Sequence, residues 1–306
     1  MNGQRMDFIT GVQEALDYIE SHLTDELNPE EIAAVGFYSS YHFQRLFSLL
    51  SGITLGEYIR MRKLTRAGQD LAAGRYKVID IAMKYGYESP ESFSKAFTKF
   101  HGISPSDARK KGATLRSFSK LSIKLTLEGG SSMNYSIEEK KGLIVTGFKK
   151  HFTGSPYGDE RFRQEDELFV TTRGKQWLLK GAADPFNPDE YCLITNVTDE
   201  GYDFYICNDL TAWERDHLYD HEVTGVDFIE SLGIENLEIP EGRYLVVTAA
   251  QEGSKHVVYV YEDLRKQIAS ELSGNSSLHF KEGPEVAVYH WFPREERKIE
   301  IWLPVE

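Results

Sequence analysis

The chain has 306 residues, of which 41% are hydrophobic and 27% charged, with a net charge of −13. That length suits two domains, each burying its own core, and the composition excludes a disordered or fibrous chain. The acidity is uneven: through residue 126 there are 17 Lys and Arg against 14 Asp and Glu, whereas the remainder carries 18 against 34, so the first part keeps no charge objection to nucleic acid.

Near the start no charged segment precedes an apolar one, and no apolar run approaches the ~20 residues that span a bilayer, so a cytoplasmic location without membrane contact is expected. Cys192 and Cys207 are then expected as free buried thiols.

In chain order, Phe8, Val12, Leu16, Ile19 and Leu23 recur at helical steps and predict a first helix. "NPEE" follows, with Asn28 as an N-cap and Pro29 at the first helical position of a second. After a turn near Gly36 comes "FQRLFSLLSGI", Phe43 to Ile53, and fifty positions later "FSKAFTKFHGI", Phe93 to Ile103. Ile81, Ala82 and Tyr87 likewise answer Ile32, Ala33 and Tyr38 at an offset of 49. The chain therefore carries a helix, a tight turn and a helix twice. Phe43 with Phe47, and Phe93 with Phe97, are spaced to share one helix face and pack on the partner helix, while Gly52 and Gly102 suit left-handed C-caps. Ser89 and Pro90 restart the second copy as cap and first helical residue.

Between the copies Thr54 and Glu57 open a helix without a breaker until Gly74. Leu55 to Ala73 would make a bar of roughly 28 Å. Two recognition helices held by it come close to the spacing of about 34 Å between successive major-groove faces, the shortfall implying some bending of the DNA.

"SSYHFQRLFSLLSGITLGEYIRMRKL" together with "IAMKYGYESPESFSKAFTKFHGISPSDAR" resembles the AraC/XylS family of transcription regulators, over about residues 7 to 112. The resemblance implies an all-α, double helix-turn-helix DNA-binding domain over residues 1–112, with double-stranded DNA as partner and RNA polymerase as a further potential contact. Phe37 departs from it, standing where the family often has glycine. From the family's docking mode, Ser40, Tyr41, Gln44 and Arg45 in the first copy and Glu91, Ser92 and Lys95 in the second are implied as DNA-facing. Arg45 can fork onto guanine or clasp phosphate, Gln44 suits adenine and Glu91 can accept from cytosine. Lys63, Arg66, Lys99, Arg109 and Lys110 form a diffuse supply for phosphates.

Residues 113–132 read as a linker, with Leu121, Ile123, Leu125 and Leu127 alternating before "EGGSSM". From residue 133 to 306 short β-rich runs alternate with two predicted helices, around Arg161 to Lys180 and Ser254 to Leu272, which argues an α+β domain. "GLIVTGFKKHFTG" and "GRYLVVTAAQEG", opening at Gly142 and Gly242, hint at a duplicated βαββ unit.

"GRYLVVTAAQEG", "EVAVYHWFP" and "IEIWLPV" resemble the GyrI-like effector-binding domain, which implies an aromatic cleft for a small amphipathic or aromatic effector, a cation being one option. Tyr289 then takes the family's Tyr, Ala287 stands where the family's Glu is expected, and Glu285 lies two residues earlier on the same strand face. Trp177, Glu285, Tyr289 and Trp291 are the candidate ligand-binding residues, with Trp213 and Tyr244 as lesser ones. His217, His221 and Glu214 do not make a recognised metal motif, and no G-x-S-x-G, P-loop or G-x-G-x-x-G occurs, so no metal, cofactor or catalytic residue is expected. A small hydrolase using Glu285 as base, or a ligand-independent protein-interaction module, are the alternative readings of this second part.

Overall fold

The computed structural model describes residues 8–36, 39–122, 134–183, 189–218, 231–250, 260–261, 263–265, 267–268, 278–291, 293 and 296–306. They form two compact units, Met1–Phe47 with Ile53–Leu127, and Ser48–Gly52 with Glu128–Glu306. Phe37, Tyr38, His221 and the Ile123–Leu127 alternation lie outside the described residues. Among the described residues no helix is long and apolar enough to cross a membrane.

The first unit is helical: α1 (Phe8–Ser21), α2 (Pro29–Val35), α3 (Ser40–Ser51), α4 (Leu55–Ala72), α5 (Val78–Lys84), α6 (Pro90–His101) and α7 (Pro105–Ala108). The helices begin where their caps dictate. Asn28 accepts from the Glu30 amide, Thr54 from Glu57 and Ser89 from Ser92, each satisfying an amide that has no partner inside its helix. Gly52 and Gly102 stop α3 and α6 at φ +73° and +77°, a conformation that costs other residues about 1 kcal/mol or more.

Two cores are strung on α4. Ile32, Ala33, Phe43, Phe47, Leu55 and Tyr58 belong to the first; Leu64, Ala67, Leu71, Ile81, Phe93 and Phe97 belong to the second. The phenylalanine pairs repeat as the sequence does, with ring centroids 6.1 Å apart in one copy and 5.4 Å in the other. The bar between them is unbroken over its 18 residues, about 27 Å at helical rise.

Three contacts on α4 fall outside the repeat. Arg62 grips both oxygens of Glu20 at 2.6 and 2.7 Å, and the Tyr58 hydroxyl donates to the same carboxylate. Gly68 lets His101 approach, since a Cβ there would meet the imidazole at 2.8 Å; His101 Nε2 lies 3.0 Å from the Leu64 carbonyl. The chain after α7 then runs back along the bar: the Phe118 amide donates to Thr65 Oγ1, Arg62 donates to the Phe118 carbonyl, and the Phe118 ring meets Tyr58 edge-on. The N-terminal part of the expected linker is thus laid on the helical unit.

The second unit contains β1 (Asn134–Lys140), β2 (Leu143–Thr153), α8 (Asp159–Thr171), α9 (Arg173–Ala182), β3 (Glu190–Thr195), β4 (Gly201–Asp209), α10 (Ala212–Leu218), β5 (Ile234–Ile239), β6 (Gly242–Ala250), β7 (Glu285–His290) and β8 (Lys298–Pro304). The helix expected from Arg161 to Lys180 is two helices. Thr171 and Thr172 turn their hydroxyls back onto the Glu167 and Leu168 carbonyls, competing with the helical ladder at the break. In the second predicted helix, Val260, Tyr261, Leu264, Arg265 and Ile268 are helical and buried.

Among the described residues eight strands join one antiparallel sheet in the order β1-β6-β8-β7-β3-β4-β2-β5. Reading outward from the central β7–β3 pair gives β7, β8, β6, β1 on one side and β3, β4, β2, β5 on the other. The duplicated βαββ unit is therefore present. Each copy gains a leading strand, β1 or β5, paired to the other copy's half of the sheet.

Candidate functional site

Of the residues expected to face DNA, Glu91, Ser92 and Lys95 lie exposed on the first turns of α6, around the capped start at Ser89. In α3, Ser40, Tyr41, Gln44 and Arg45 are part-buried and linked one turn apart: Gln44 Nε2 donates to Ser40 Oγ at 3.0 Å, and Arg45 donates to the Tyr41 hydroxyl at 3.3 Å. Such i to i+4 bonds fix long side chains along one helix stripe. Arg66, Lys99 and Arg109 are exposed, whereas Lys63 donates to the Asp25 carbonyl and Lys110 pairs with Asp107 at 2.6 Å.

The second unit's polar centre lies on the helix-covered face of the sheet. Strand alternation puts Glu285 and Tyr289 on one face of β7, and register sets Glu190 opposite Tyr289 and Ile194 opposite Glu285. Val286, Val288, Tyr191 and Leu193 point to the other face, with Tyr244 and Trp302 in its core. Alternation also separates Cys192 from Cys207, and both thiols are free and buried.

Tyr289 stacks on Trp291, centroids 5.8 Å apart and planes 12° off parallel, and Tyr261 meets Tyr289 at 6.1 Å. Tyr157 donates to Glu285 Oε2 at 3.1 Å; Arg265 donates through Nε to Oε1 at 2.8 Å and through a second nitrogen to the same oxygen. Both carboxylate oxygens of Glu285 thus already accept from the chain's own donors. Burial opposes the charge of Arg265, but the Glu285 carboxylate more than offsets it and raises the guanidinium's pKa. Burial pushes the Tyr289 hydroxyl well above 10 and the Glu165 carboxyl upward. Three expected ligand residues, Glu285, Tyr289 and Trp291, are therefore brought together. Trp177, on α9, is 75% exposed; Trp213 is 66% exposed, and Tyr244 sits on the opposite face. Sequence reading missed Tyr157, Tyr261, Arg265 and Glu190.

A second electrostatic cluster lies on the other face of β7. His290 reaches Asp189 at 3.0 Å and Glu300 at 3.4 Å. Burial pushes its pKa down, yet the two carboxylates outweigh burial and raise it from 6.5 to about 9. A folded-state pKa above the unfolded one adds stability that is complete below pH 6.5 and is lost as pH rises through about 9. We expect the stability of the wild type, read from thermal melts, to fall across that window by on the order of 1–2 kcal/mol, less than the full shift implies because the ring is partly solvated, and that of His290→Gln to be flatter there.

A family model described as a helix-turn-helix domain matches residues 32–111, and one described as an integron-associated effector binding protein matches residues 136–305. The HTH-type transcriptional activator AarP of Providencia stuartii is 43% identical over 95 residues, 31% of this chain and 70% of AarP. The chain belongs to the AraC-type helix-turn-helix regulators. The regulatory protein SoxS of Salmonella typhimurium is 37% identical over 98 residues, 32% of this chain and 92% of SoxS. This AraC-type regulator carries its relatives' likeness in about a third of its length. Its remainder, with the integron-associated effector-binding fold, is similar to the integron cassette protein VCH_CASS2 of Vibrio cholerae, at 16% identity and a TM-score of 0.36, covering 56% of this chain and 95% of that one.

Proposed function

We propose that this AraC-type regulator reads a specific duplex sequence with α3 and α6 and responds to a small amphipathic or aromatic molecule held in its second unit. The observation that carries the first half is the repeated core: two helices, each fixed by a Phe pair and stopped by a left-handed glycine, sharing one uninterrupted α4. Residues 1–112 are the DNA-binding domain, 113–132 the joint and 133–306 the effector domain, working in the cytoplasm, with RNA polymerase as an eventual partner. Arg45 and Gln44 read base edges, with Ser40 and Tyr41 as their supports; Glu91, Ser92 and Lys95 contact the second site. Tyr289 and Trp291 take the effector, Glu285 serves it indirectly through its pair with Arg265, and Trp177 is the exposed member of the proposed set. We read the second unit as a binder rather than a hydrolase, because Glu285, the base of the hydrolase reading, has both oxygens engaged.

Selection of bound duplexes from a random pool tests the first half. The pool should converge on two motifs about one helical turn apart, with salt-dependent affinity. Arg45→Ala should cost about 1–3 kcal/mol and relax preference at one position of one motif only. No enrichment over random duplex sinks the reading. The second half is tested by titrating neutral, anionic and cationic aromatic compounds by calorimetry; heats from none of the three classes would leave an interaction module instead.

A further inference from the structure

An aromatic cage with a buried carboxylate is a receptor for a cation, because ring faces and carboxylate both favour positive charge. In this chain that receptor already holds one. The Arg265 guanidinium lies 4.8 Å from the Tyr157 ring centroid and 5.1 Å from that of Tyr261, with Glu285 at its edge, and its third nitrogen donates to the Pro156 carbonyl at 2.7 Å. Arg265 and Glu285 are both buried, and every guanidinium nitrogen is engaged. The neighbouring rings are served in the same way. Arg161 approaches Tyr261 at 5.2 Å, and Lys180, paired with Glu190 at 2.8 Å, approaches Trp291 at 5.4 Å.

We propose that Arg265 is the built-in occupant of the cation seat formed by Glu285, Tyr157 and Tyr261, and that it sets the selectivity of the effector domain against monovalent organic cations. A free cation would have to displace one that the fold already holds in place and that pays no association cost. It would also leave a buried guanidinium without its carboxylate. The effector is then a neutral or anionic aromatic compound that lies against Tyr289 and Trp291 and leaves the Arg265–Glu285 pair intact. This inference rests on the effector-binding reading, but the seat itself can be tested without knowing the effector.

The test uses the full chain, wild type and Arg265→Ala, melted with ethylguanidinium chloride at millimolar concentration against sodium chloride of equal ionic strength. Arg265→Ala should melt lower than wild type and recover saturably with ethylguanidinium; the wild type should not respond beyond the salt control, and adding Glu285→Gln should abolish the rescue. Equal shifts in wild type and variant, or no rescue of the variant, overturn the proposal. Should Arg265→Ala not fold, Arg265→Met and the wild type decide it by calorimetry with benzyltrimethylammonium. Affinity at least about tenfold tighter in the variant supports the seat, because a tenfold change is a readily measured 1.4 kcal/mol; saturable binding to the wild type that Glu285→Gln removes overturns it. Absence of binding by neutral and anionic aromatics, with rescue intact, defeats the effector reading and leaves the seat standing.

Discussion

Replacing Glu285 with glutamine should lower the stability of the second unit by about 3–5 kcal/mol, the usual result of leaving a buried charge without its partner. The carboxylate is the counter-charge of Arg265 and the acceptor for Tyr157, and the neutral amide keeps its shape while losing the charge and one of the two acceptor oxygens. For a unit of this size the loss corresponds to a fall of roughly 10 °C in melting temperature. The double change Glu285→Met with Arg265→Met should recover most of it, because removing both charges removes the unpaired group as well. A double-mutant cycle by thermal or urea melts reads the coupling directly. Near-additive losses in that cycle would mean that the pair does not hold this site together.

The second large effect is expected at Phe97. This ring is fully buried between α6 and its partner helices, 5.4 Å from Phe93 and 4.1 Å from His101. Phe97→Ala should cost about 3–5 kcal/mol through lost transfer energy and the cavity left behind. The damage should be local to one head, because the first core draws on a different stretch of α4. Hydrogen exchange should accelerate in α5 and α6 more than in α1 to α3. Specific affinity for duplex should fall toward that of one head, while the matching change Phe47→Ala should spare α5 and α6 and injure the other head. Equal exchange throughout all seven helices after either change would show a single cooperative core.

Much of the helical unit was legible because its information is local and written twice. Caps at Asn28, Thr54 and Ser89 and stops at Gly52 and Gly102 each depend on one side chain or one backbone conformation. The return of the chain after α7 along α4 was not legible. Thr65 and Arg62 hold Phe118 across more than fifty residues, and nothing near Phe118 announces it. In the second unit the duplication showed through Gly142 and Gly242, but β1 and β5 read weakly because edge strands carry charge. The polar centre was half visible. Glu285 and Tyr289 sit on a strand whose alternation is plain, whereas Arg265 comes from a helix. It left a usable signal, a charged residue on the same stripe as Tyr261, Leu264 and Ile268, and a charge on an apolar stripe asks for a buried partner. Trp177 is expected among the aromatics of the effector cleft, whereas α9 turns it to solvent.

The proposed placement of two reading helices in successive major-groove faces depends on α4 acting as a rigid bar. It is tested by measuring affinity for a selected duplex in which the two motifs are moved apart by five base pairs, half a helical turn. Affinity should fall to the single-motif level, because an unbroken helix of about 27 Å cannot swing α6 to the opposite side of the duplex. Unchanged affinity for the five-pair insertion would mean that α3 and α6 do not read one face of the duplex through α4.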